Sequence, residues 1–167
     1  MNELERLMKR YPQLAGCRET ITEAYQMLEE SFRKGGKLLI CGNGGSAADS
    51  DHIVGELMKG FKKQRPVPAD MREKLGEDLA DHLQGALPAI SLAGHAALST
   101  AFLNDVAPDM VFAQQVYGYG LKGDVLIAMT TSGNSANVLN AVRVAKGKGM
   151  KVIGFTGHDG GALKALC

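Results

Sequence analysis

Two short loops carry the residue types that bind phosphate: Gly42-Asn43-Gly44-Gly45-Ser46 and Thr130-Thr131-Ser132-Gly133-Asn134-Ser135. Each follows a β-like apolar run and opens a helical pattern. A strand that delivers the chain to the foot of a helix presents unpaired N–H groups and the positive dipole end, and both favour an anion. The second loop sets four hydroxyls, Thr130, Thr131, Ser132 and Ser135, around Gly133. A helix cap uses one such side chain, so capping accounts for Ser135 and leaves three hydroxyls for a ligand. The first loop also fits the loose glycine pattern of dinucleotide-binding folds. That fit needs an acidic residue after the second strand for the ribose, and Ser91-Leu92-Ala93-Gly94 has none, so no nucleotide cofactor is expected. Phosphate or sugar hydroxyls are the favoured ligands, with a purely structural tight turn as the plain alternative.

On the helical run after the first loop, His52 and Glu56 stand four residues apart and share a face. An imidazole and a carboxylate so placed can both ligate zinc, or the carboxylate can act as a base; a solvated i,i+4 pair is the bland alternative. Asn104-Asp105 fit either a helix end or a pair of sugar ligands. His82 and His95 read as surface or cap residues, and His158-Asp159 as a turn at a strand's carboxyl end. Cys41 closes an apolar strand and reads as packing, since no neighbouring base in sequence marks it as a nucleophile.

The elements that must position these groups alternate. Strands are expected at Lys37 to Cys41, Pro88 to Ala93, Val125 to Thr130 and Lys151 to Thr156, with helices at Ala47 to Lys59, Ala96 to Leu103 and Ala136 to Lys148. Short, wholly apolar strands separated by helices predict an α/β fold: a three-layer α-β-α sandwich on a parallel, flavodoxin-like sheet, with ligands outside the carboxyl ends of the strands. A helical extension precedes it, with Glu3 to Arg10, a break at Pro12, and an amphipathic helix from Thr20 to Lys34 whose apolar face serves either the sheet or an oligomer. The charged stretch from Ala69 to Leu83 predicts an inserted lid-like or surface helix. The last helical pattern stops after barely two turns at Cys167, so an incomplete C-terminus is expected.

The whole is expected to be one domain, residues 1–167, with N-terminal helices over 1–36 and an α/β core over 37–167. Net charge is +1, and basic residues cluster only between Lys59 and Arg65, so direct nucleic-acid binding is not expected. Tryptophan is absent and aromatics are 5% of the chain, which leaves few platforms for stacking bases. No apolar run approaches the ~20 residues that span a bilayer, and three cysteines without CxxC spacing point to a reduced, cytoplasmic setting.

Taken in order, Cys41-Gly42-Asn43-Gly44-Gly45-Ser46, His52-Ile53-Val54-Gly55-Glu56-Leu57, Asn104-Asp105, Gly123-Asp124-Val125-Leu126, Thr131-Ser132-Gly133-Asn134-Ser135-Ala136-Asn137-Val138 and Lys148-Gly149-Met150-Lys151-Val152-Ile153 resemble the sugar isomerase (SIS) domain, specifically the phosphoheptose isomerases. The likeness runs from about Ser31 onward. It implies an aldose–ketose isomerase that converts sedoheptulose 7-phosphate to the corresponding heptose 7-phosphate through an enediol. By the same resemblance Thr130, Thr131, Ser132 and Ser135 hold the phosphate, while Asn43, Gly44, Gly45 and Ser46 meet the sugar with Asn104 and Asp105. His52 and Glu56 are implied as ligands of one zinc ion per site, with Glu56 also the catalytic base. The family's further ligands, a glutamine and a histidine on a C-terminal helix, have no counterpart before Cys167. Thr130 stands where the family has serine, and the Asp70 to Gly85 segment is longer than usual. The resemblance also implies a homo-oligomer, dimer or tetramer. The alternative within the family is a non-catalytic module that binds a phosphosugar or serves as a replication-initiator-associating adaptor.

Overall fold

Alternating burial on two faces of the sheet divides the core in two. The computed structural model describes residues 2–157 and 159–167, and its strands are β1 (Leu38–Cys41), β2 (Ala89–Ser91), β3 (Val125–Thr130) and β4 (Lys151–Thr156). They pair in parallel in the order β2-β1-β3-β4, so the chain steps outward in both directions from the junction of β1 and β3. Successive side chains point to opposite faces. Leu38, Ile40, Val125, Ile127 and Ile153 therefore share one face, and Leu39, Cys41, Leu126 and Ala128 share the other.

The first face is covered by α2 (Arg18–Arg33), through Ala24, Met27, Leu28 and Phe32, and by α3 (Gly45–Met58), through Ile53, Val54 and Leu57. Of the two roles open to the apolar face of α2, this assigns it to the sheet. The amphipathic helix α1 (Glu3–Arg10) precedes it. The second face carries α7 (Val111–Tyr119) and α8 (Ala136–Gly147), with Phe112, Val116, Val138, Val142 and Ala145 buried against the strands. The three-layer α-β-α expectation holds, and the strand order is the flavodoxin-like one.

Three expectations change. The charged stretch between Pro66 and Leu87 forms two short helices rather than one, α4 (Ala69–Leu75) and α5 (Glu77–Asp81), because Gly76 at φ +81° turns the chain between them. An Arg72–Asp81 ion pair ties the two together, and Arg65 anchors the segment to the end of α3 by donating to the carbonyls of Leu57 and Gly85 at 2.6 and 2.7 Å. That guanidinium, the end of the basic run, is thereby committed to structure. Helix α6 (Ala96–Asp105) includes Asn104 and Asp105 as its last residues. Helix α7 carries no amphipathic signal because it is buried on several sides, and its Gln115 donates to the Leu92 carbonyl at the end of β2. A one-turn helix, α9 (Gly161–Lys164), closes the described chain.

Candidate functional site

β1 and β3 are neighbours, and both candidate loops leave from their carboxyl ends, at the point where the chain's winding direction changes. Crevices of α/β proteins form at such a point because the helices that follow the two strands depart to opposite faces. Here α3 goes to one face and α8 to the other.

In the first loop, the turn from β1 into α3 is tight enough that a side chain at Gly42 would meet Ser46 Cβ at 2.5 Å. Gly44 takes φ +56°, a region that glycine enters without penalty, and stands at the N-cap of α3 with no side-chain cap. Asn43, Gly44 and Gly45 are exposed. Cys41 beneath them is wholly buried, and burial pushes its thiol up to about 12, which bears out packing and not nucleophilic chemistry.

The second loop is locked from below and open above. Thr130, buried at the end of β3, lies 2.8 Å from Ser135 Oγ and 3.5 Å from Ser132 Oγ. Ser132 Oγ accepts from the Asn134 N–H at 3.2 Å. Ser135 occupies the N-cap position of α8, but its hydroxyl turns to Thr130 instead of the helix. The capping role expected of Ser135 is therefore corrected, because the Val138 N–H is met by Asn137 Oδ1 at 3.0 Å. Gly133, at φ +69°, is pressed against the α9 turn, where a Cβ would stand 2.0 Å from the Gly160 carbonyl. The Gly133 carbonyl accepts from Leu163, and Asn134 Oδ1 accepts from Ala162 at 3.0 Å. Asp159 accepts from Gly161 in the same turn, as a structural turn requires; His158 lies outside the described residues.

One contact joins the loops directly. Asn43 and Asn137 exchange side-chain amide hydrogen bonds, at 3.0 and 2.9 Å. Neither amide's part in this bridge is visible in sequence, where 94 positions separate them.

His52 and Glu56 sit on the side of α3 away from its sheet-facing residues, with Nε2 and Oε1 3.4 Å apart and side chains 76% and 43% exposed. An imidazole and a carboxylate suit zinc, so the pair fits as part of a coordination shell. Among the described residues, no group of three His, Cys, Asp or Glu side chains converges to complete one. Asn104 and Asp105 are exposed at the end of α6 and bonded to each other at 2.7 Å, and no hydrogen bond among the described residues draws them to either loop. His82 Nδ1 donates locally to the Asp78 carbonyl at 2.7 Å, and His95 takes the N-cap position of α6.

The SIS domain family model matches residues 2–83 and 80–157. The chain belongs to the SIS domain family. This SIS-domain chain is similar to the phosphoheptose isomerase of Rhodospirillum rubrum, at 40% identity over 92% of the chain and 72% of that protein. A phosphoheptose isomerase of Nitratiruptor is 44% identical over 83% of the chain and 64% of its own length. Among solved structures, the phosphoheptose isomerase of Francisella tularensis matches with a TM-score of 0.73 at 31% identity, covering 99% of this chain and 81% of that one. The Neisseria gonorrhoeae enzyme matches at 0.72 and 34% identity, covering 97% and 72%.

Proposed function

We propose that this SIS-domain chain is a phosphoheptose isomerase, interconverting sedoheptulose 7-phosphate and D-glycero-D-manno-heptose 7-phosphate. The observation that carries the reading is the hydroxyl cluster of Thr130, Ser132 and Ser135 beside the exposed first loop at the β1/β3 switch point, in a chain whose relatives bear that name. Thr130, Thr131, Ser132 and Ser135 take the phosphate together with the α8 N-terminus. Asn43, Gly44, Gly45 and Ser46 meet the sugar, with Asn104 and Asp105 as further contacts. Binding energy at the phosphate end holds the reacting carbons in place.

Glu56 then removes the proton from the carbon next to the carbonyl, leaving an enediol. Return of a proton to the neighbouring carbon, with a proton shifted between the two oxygens, completes the isomerisation with no net gain or loss of atoms. His52 and Glu56 would hold zinc, whose chemistry when bound is polarisation of the sugar oxygens. A carboxylate lone pair committed to a metal is a weaker base, so the ligand and base roles of Glu56 compete. We also assign the protein to the cytoplasm and to a homo-oligomer, dimer or tetramer. Three free cysteines support the first, and exposed Tyr11, Tyr25, Tyr117 and Leu121 support the second. No helix among the described residues is long and apolar enough to cross a membrane.

The test is NMR detection of heptose 7-phosphate from sedoheptulose 7-phosphate, with zinc supplied. Wild type is expected to turn over, and Glu56→Gln to lose about 10³-fold in kcat while keeping its affinity for substrate. Binding without turnover in both proteins would replace the isomerase with a non-catalytic phosphosugar-binding or adaptor module.

A further inference from the structure

We infer that Asn137 is a positioning residue that couples the two ligand loops, a role that rests on the isomerase reading of the site. Its carboxamide oxygen serves two donors, the Val138 backbone N–H at 3.0 Å and Asn43 Nδ2 at 3.0 Å, while its Nδ2 donates to Asn43 Oδ1 at 2.9 Å. Each bond has a separate consequence.

The bond from Val138 replaces a hydroxyl cap at the α8 N-terminus. A serine at the N-cap ordinarily spends its oxygen on a first-turn N–H. With Asn137 filling that need, Ser135 Oγ is released to Thr130 and to the phosphate.

The two bonds with Asn43 act on the sugar end. A carboxamide carries two N–H donors and an oxygen with two acceptor sites, and its oxygen and nitrogen are interchangeable by a flip. The reciprocal pair ties the two orientations together, and the Val138 N–H, which needs an oxygen, fixes Asn137 and through it Asn43. The pair consumes one donor and one acceptor site of Asn43 and leaves one of each facing outward in a fixed order. A sugar hydroxyl both donates and accepts, so it can bond to that free edge in one orientation. Because Asn137 rides on α8 and Asn43 follows β1, the pair also sets the distance between phosphate and sugar subsites. Both residues remain solvent-accessible, as a ligand-facing pair must be.

The experiment is a double-mutant cycle on Asn43→Ala, Asn137→Ala and the double variant, read by kcat and KM with sedoheptulose 7-phosphate and by the Asn43 side-chain amide signals in ¹⁵N NMR without substrate. Coupling predicts that Asn137→Ala lowers kcat/KM about tenfold, that the double variant loses less than the product of the two single losses, the remainder being the Val138 cap, and that the Asn43 amide signals shift in Asn137→Ala. Multiplying losses, or Asn43 signals unmoved by Asn137→Ala, would overturn the inference. If wild type shows no turnover the isomerase reading fails instead, and the NMR signals still decide whether the bridge positions Asn43.

Discussion

The two edges of one sheet treat their polar groups in opposite ways. At the amino edge, Asp124 is buried just before β3 and its carboxylate meets three donors: it accepts from the Lys37 N–H at 2.9 Å, Lys37 Nζ at 2.6 Å and the Leu121 N–H at 2.8 Å. Ser31 Oγ adds a bond to the Gly123 carbonyl at 2.8 Å. At the carboxyl edge, Thr130, Ser132 and Ser135 are bonded mainly to one another, and the loop is braced from beneath by the α9 turn. Hydroxyls paired among themselves keep lone pairs and can rotate their protons toward a ligand, whereas an ionised carboxylate has no proton to offer and most of the acceptor sites of Asp124 are taken. The amino edge spends its polarity on stability, and the carboxyl edge holds its polarity in place for use.

That contrast breaks if Asp124→Ala harms the ligand site more than the fold. The substitution strands Lys37 and two backbone donors, so urea unfolding is expected to show a loss of roughly 3 kcal/mol, with KM of the folded fraction unchanged. Gly133→Ala should do the reverse. A Cβ 2.0 Å from the Gly160 carbonyl must push the loop off the α9 turn, at a cost of roughly 2 kcal/mol and with phosphate affinity falling first. Equal affinity in Gly133→Ala and wild type would separate the loop's bracing from its function.

The smallest effect expected belongs to neither edge. Lys151, and after it Lys34, hold the Glu30 carboxyl down at about 2, from an ordinary 4.5. A carboxyl depressed in the folded state stabilises it above pH ~4.5, and that contribution shrinks below 4.5 and is lost as pH falls through 2. Glu30 is exposed, so Glu30→Gln should lower the unfolding midpoint slightly at pH 7 and by progressively less as pH falls to 2. A difference as large at pH 2 as at pH 7 would show that packing, and not the ion pairs, is responsible.

Much of this is legible in the sequence. Apolar runs such as Val125 to Thr130 announce buried parallel strands, and glycine and hydroxyl residues at the strand–helix turns announce the loops. What stayed hidden depends on pairing across the chain. The Asn43–Asn137 bridge exists only because β1 and β3 are neighbours, and the redirected Ser135 hydroxyl follows from Asn137 filling its place. Helix α7 is not legible in the sequence because a helix buried on several sides carries no stripe to read. The His52–Glu56 pair was legible from its i,i+4 spacing, but spacing cannot supply the rest of a metal shell.

Phosphate binding by the Thr130–Ser135 loop is the centre of the proposed function. It is tested most directly by titrating ¹⁵N-labelled protein with sedoheptulose 7-phosphate and with unphosphorylated sedoheptulose. The prediction is that the backbone signals of Thr131 through Asn137 move most, and that the unphosphorylated sugar binds at least tenfold more weakly, about the worth of one charged hydrogen bond. Equal affinity for the two sugars, or shifts confined to the open groove of about 1200 Å³ between α1 and α2, would contradict it.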